Sequence, residues 1–152
     1  SAAHPLLGGR QPLDGGRLAK SFVMNGNRLT VRYDSDGASG RLEIRLNIAM
    51  PSCDGYLGRH ILENGDIPCG FGDRLELPAA RRLTLDDGVL GGSLVVEFDA
   101  AIALTAQAHR TVSQSEAGFE KIMQAVELTC HWPLDGTPRS LTFTIEARAR
   151  PA

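Results

Sequence analysis

Aromatic residues are scarce in this chain, at 5% of 152 residues, and lysine is scarcer still: of 16 basic residues only Lys20 and Lys121 are not arginine. So few rings leave no stacking platform for nucleic-acid bases. A formal net charge of −2 supplies no pull toward nucleic acid or an anionic membrane. No apolar run approaches the ~20 residues that a membrane helix needs, and the uncharged run from Ala100 to Ala108 is far shorter. A Walker A loop, a Gly-x-Ser-x-Gly elbow, a His-Glu-x-x-His helix and a Cys-x-x-Cys pair are all missing. Gly70-Phe71-Gly72 does not extend to a dinucleotide fingerprint. Nothing calls for a cofactor or a metal. These absences exclude only the motif-bearing enzyme classes, because a site gathered from scattered strand residues leaves no such trace.

What is present is ordinary for a folded domain: 42% hydrophobic and 22% charged residues, enough for one core without metals or many disulfides. The strongest pattern lies in Ser93 to Ala106. Val96, Phe98, Ala100, Ile102, Leu104 and Ala106 form one apolar set, and Glu97, Asp99 and Thr105 fall in the other. That is the period of a strand with one buried face. The stretch is longer than common strands, which predicts a bend near Ala100-Ala101.

Arg28 to Asp34, Arg41 to Met50 and Ser140 to Ala149 alternate in the same way. The turn-rich link Ser35 to Gly40 predicts a hairpin of the first two, with Tyr33 opposite Leu42 and Arg32 opposite Glu43. Leu75 to Leu77 and Arg82 to Leu85 are short strand candidates, Gln107 to Gly118 reads as a polar loop, and Phe119 to Cys130 fits strand or helix, with a strand from about Lys121 preferred. The sum is an all-β chain: an antiparallel sandwich or closed barrel of about seven or eight strands. Residues 1–20, with Gly8-Gly9, Gly15-Gly16, Pro5 and Pro12, read as an extended N-terminal arm. Residues 21–152 then form a single domain.

The long break at 51–73 is the richest in chemistry, holding Cys53, Asp54, Tyr56, Arg59, His60, Glu63, Asp66, Cys69 and Phe71. A loop of that length calls for an anchor, and a Cys53–Cys69 disulfide is the preferred one, ahead of two free thiols. A metal held by Cys53, His60 and Cys69 ranks last, since the spacing matches no standard zinc pattern. Cys130 is expected to be a buried thiol, and His4, His109 and His131 are expected at the surface. Glu63 and Asp66 are read as wetted loop residues.

The remaining constellation is the arginine set Arg28, Arg32, Arg41 and Arg45 on the polar face of the first hairpin. It is either a solvated face or a docking surface for an acidic protein partner or the chain's own subunits. Leu6, Leu7, Leu13 and Leu18 on the arm suggest self-association through it, with no nucleic-acid partner and no membrane insertion. No signal peptide is visible, while Ser1-Ala2-Ala3 would suit the start of a processed chain. The resulting expectation is a non-enzymatic structural module taking part in assembly: a surface, pilus-like or virion component, secreted or periplasmic in preference to cytoplasmic. The rival is a small-molecule-binding barrel or enzyme with its site inside the barrel or under 51–73.

Overall fold

Strands make up most of the described backbone. The computed structural model describes residues 4–13, 15–52, 56–115 and 118–150, and these contain strands and turns but no helix. The described residues form ten strands: β1 (His4–Leu13), β2 (Gly16–Asn25), β3 (Arg28–Asp36), β4 (Ser39–Ile48), β5 (Gly58–Leu62), β6 (Cys69–Gly70), β7 (Leu75–Asp87), β8 (Gly92–Ser115), β9 (Gly118–Asp135) and β10 (Arg139–Ala149). Every pairing is antiparallel.

One branch of the sheet runs β1-β2-β3-β10-β8-β7-β5-β6, and a second runs β8-β9-β4. The sheet is not closed, so the barrel alternative falls and a sandwich-like all-β fold stands. The apolar faces of the two branches share one core. Val31, Tyr33, Val96, Phe98, Leu141 and Phe143 of the first meet Ile44, Leu104, Leu128, Cys130 and Trp132 of the second.

β8 belongs to both branches, and this explains its length. Its pairing with β10 ends at Phe98, while its pairing with β9 begins at Ala103. The expected bend therefore falls at 99–102. Opposite it, the register of β7 shifts on either side of Ala80, just beyond Pro78, where a residue lacking an N–H is tolerated.

The expected hairpin of β3 and β4 does not form. β3 pairs with β2 and β10, and β4 pairs with β9. Alternation defines the face that a strand buries but not the strand it pairs with. The link at 37–38 instead carries the chain from one branch to the other, beside the equivalent passage from β9 to β10. The Gly37 amide donates to the Gly136 carbonyl at 3.2 Å, and the Gly136 amide donates to the Ala38 carbonyl at 2.9 Å. Both glycines have positive φ, +76° and +86°, a region where other residues are strained.

Three further expectations are revised. The polar stretch 107–118 is strand almost throughout, because β8 continues to Ser115, and β9 begins at Gly118. The segment read as an arm supplies β1, paired along its length to β2, and β2 brings Leu18 and Phe22 against the core. The 51–73 break holds β5 and β6.

Candidate functional site

The structure splits the four arginines between branches, Arg28 and Arg32 on β3 and Arg41 and Arg45 on β4, so they do not share a hairpin face. Arg28 stands directly opposite Glu146 on β10 and is ion-paired to it, and Arg148 binds the same carboxylate at 2.7 Å. Arg32 donates to Asp34 at 2.8 Å and to the Ser140 hydroxyl at 3.1 Å. Arg45 donates to Glu43 at 2.6 Å, and Arg41 is exposed. The hydrogen-bonding arginines hold Asp34, Glu43 and Glu146 below the usual carboxylate range.

The Cys53–Cys69 bridge is not found. Cys69 is a free, half-buried thiol, and Cys53 lies outside the described residues. Backbone pairing supplies the anchor that sulfur was expected to give: five residues of β5 pair with β7, and the Phe71 amide donates to the Gly58 carbonyl at 3.0 Å.

His60, expected in a loop, lies wholly buried on β5 opposite Leu85 on β7 and Cys69 on β6. Its ring meets Phe71 edge-on, with centroids 5.2 Å apart, and neither ring nitrogen has a hydrogen-bond partner. Burial drives its pKa down to about 4, against an opposing pull from Asp73. No group of three or more metal-ligating side chains occurs among the described residues. Cys130 is buried in the core as expected, with its thiol pushed up to about 12 by burial. His109 is exposed, whereas His131 is half-buried, with Nδ1 3.9 Å from the Glu43 carboxylate.

Asp86 and Asp87, at the end of β7, form a densely connected polar cluster. Asp87 accepts from the Ser52 amide at 3.0 Å, the Ser52 hydroxyl at 2.6 Å, and the Val89 and Leu90 amides at 2.9 and 3.1 Å. Asp86 accepts from Arg59 at 2.6 Å and from Arg150 at 3.0 Å. Burial alone would raise both carboxyls, but these bonds outweigh it and hold them below the usual range. They clasp residue 52, the β7–β8 turn and the chain near its C-terminal strand. Each described carboxyl with a resolved shift is shifted downward, so no general acid kept protonated by burial emerges among them.

Exposed apolar side chains gather at the two ends of β8. At one end lie Tyr56, Leu57, Val89 and Leu90, beside a groove of about 290 Å³ lined by Met50, Leu94 and Ala147. At the other, the β8–β9 ribbon carries Phe119, Val112 and Ile122, exposed by 78%, 64% and 41%. Sequence reading missed this second patch because it took 107–118, with Val112, for a loop, and so did not set it opposite the segment that carries Phe119 and Ile122.

The described residues thus form a two-branched β-sandwich in which Asp86 and Asp87 are bound into a clasp. Residues 11–145 match the family described as alpha-amylase/4-alpha-glucanotransferase, C-terminal, and the chain belongs to that family. Among solved structures, it resembles 4-alpha-glucanotransferase from Thermococcus litoralis at 18% identity and a TM-score of 0.58, over 93% of this chain and 22% of that one. It also resembles the Slr1438 protein of Synechocystis sp. PCC 6803 at 13% identity and a TM-score of 0.50, over 97% of this chain and 66% of that one. At such identities the likenesses show the fold. No curated protein matches the chain. It thus spans about a fifth of the Thermococcus protein's length. Family membership overturns the pilus-like or virion reading: strand alternation announces a sandwich but carries no sign of what the sandwich is joined to.

Proposed function

We propose that this chain is the C-terminal β-sandwich domain of an enzyme acting on α-glucans, and that it serves the enzyme as a non-catalytic unit. The family match across residues 11–145 is the observation that carries this reading. The chemistry agrees with it. Glycoside cleavage uses a protonated carboxylic acid beside a second carboxylate, whereas Asp86 and Asp87 are both bound up as ionised groups.

Antibodies raised against the chain, used to purify the native polypeptide, provide the test. They are expected to recover a much longer protein that redistributes or hydrolyses maltoheptaose, while the 152-residue chain alone leaves it intact. A native product no longer than this chain, or a longer one inert toward maltoheptaose, overturns the proposal. Turnover by the chain alone overturns the non-catalytic role.

A further inference from the structure

The β8–β9 ribbon outruns the rest of the sheet. The last β7 pair is Leu75 with Ala106 and the last β4 pair is Ile48 with Val126. Beyond these, as far as Ser115 and Gly118, the described residues of the two strands pair with one another alone.

Residues directly opposite on antiparallel strands share a face, and alternate residues along a strand share it too. Phe119 is opposite Gln114, and Val112 is opposite Lys121, so Phe119 and Val112 lie on one face. Ile122 is opposite Thr111 and lies on the other face. Apolar side chains are therefore exposed on both sides of the ribbon. Its base is held: the Arg110 guanidinium donates to the Gly72 carbonyl at 3.1 Å, and Met123 packs against the core.

We propose that this ribbon inserts into an apolar cleft of the remainder of the enzyme, with both faces covered. The inference rests on the function proposed above. A ribbon laid on a flat surface, or added to a sheet edge, hides one face and leaves the other wet, so exposed apolar groups on both faces call for a cleft. A bare two-stranded ribbon is marginal in water, which makes cover from a partner a stabilising event. The occupant is the same enzyme's own polypeptide, because the matched Thermococcus chain extends far beyond the 22% that this chain spans. The ribbon's middle offers Thr111, Ser113 and Gln114 with one acid and one base, Glu120 and Lys121, so no charge pattern selects an ionic partner.

The test introduces one cysteine at a time by Val112→Cys and Ile122→Cys, with Glu63→Cys as an exposed control, in both the chain alone and the longer enzyme. Labelling at each introduced position is read by peptide mapping, apart from the native Cys53, Cys69 and Cys130. Each protein is treated with a maleimide polymer. In the chain alone, both ribbon positions are expected to label at the control rate. In the longer enzyme, both are expected to slow at least ~10-fold, as local protection does. Slowing at one position only means that the ribbon lies on a surface, and slowing at neither means that it is free; each overturns insertion. Slowing in the chain alone as its concentration rises, or on adding maltoheptaose, assigns the patch to a second copy or to a sugar and also overturns insertion. Activity of the same longer enzyme on maltoheptaose is scored separately. Its absence defeats the functional reading, whereas an active enzyme with unprotected cysteines defeats insertion alone.

Discussion

At the scale of single residues, His60 sets the response to acid. Its ring is buried without a partner, next to Phe71, Cys69 and Leu85. In the unfolded chain the imidazole titrates near 6.5, and in the folded chain only near 4. Below pH 6.5 the unfolded state gains a proton that the folded state refuses, so stability falls as pH drops and the full loss is reached near pH 4. The difference is worth roughly 3 kcal/mol. His60→Leu keeps an apolar group against Phe71 and removes both orphan nitrogens. Urea unfolding of this variant is expected to show a flatter decline from pH 7 to pH 4, with no loss of stability at pH 7. An unchanged slope would remove His60 as the cause. Below about pH 4 a second decline follows in both proteins, as Asp86 and Asp87, held low in the fold, take up protons.

At the scale of elements, the two passages between branches distinguish conformational strain from steric contact. A Cβ at Gly136 meets nothing within 4 Å, while one at Gly37 comes within 2.9 Å of the Gly15 carbonyl oxygen. Gly136→Ala is expected to cost about 1 kcal/mol, from positive φ alone. Gly37→Ala is expected to cost at least ~1 kcal/mol more, since the contact is with backbone that has no rotamer to yield. Equal losses in thermal unfolding would show that the Gly15 carbonyl moves away freely.

These passages also explain what could be read from sequence. The faces of β3, β4, β8 and β10 were legible, since Val31, Ile44, Leu104 and Phe143 fall on the alternate positions that are buried. Partners were not legible. Opposing charges were used to set Arg32 against Glu43, yet Arg32 finds Asp34 and Glu43 finds Arg45, each two residues away on its own strand. A charge satisfied within its own strand says nothing about the neighbouring one. The ribbon patch was hidden for a different reason: Thr111, Ser113, Gln114 and Glu120 mask the alternation that the pairing imposes.

At the scale of the whole molecule, β10 is the strand on which both halves of the first branch depend. It separates β3 from β8, so β1, β2 and β3 join the rest of the sheet through it. It also buries Leu141 and Phe143 completely or nearly so. Each such side chain contributes about 1.5–3 kcal/mol, against a total stability of only ~5–15 kcal/mol for a typical domain. A chain ending at residue 138 is therefore expected to lack dispersed amide resonances and to be digested quickly by protease. A cooperative melt from that truncated chain would show that the β4, β8 and β9 branch stands alone. The position of β10 has a consequence in time. Arg28 and Glu146 lie 118 residues apart and face each other across neighbouring strands. During synthesis β3 emerges well before its partner β10, by the 118 residues that separate Arg28 from Glu146. Over that interval β3, and later β8, presents a bare row of amides and carbonyls to the place that β10 will fill, and strands so exposed are templates for aggregation. The nascent chain thus has a long interval in which a chaperone that holds extended segments can engage it, and that interval closes when β10 docks.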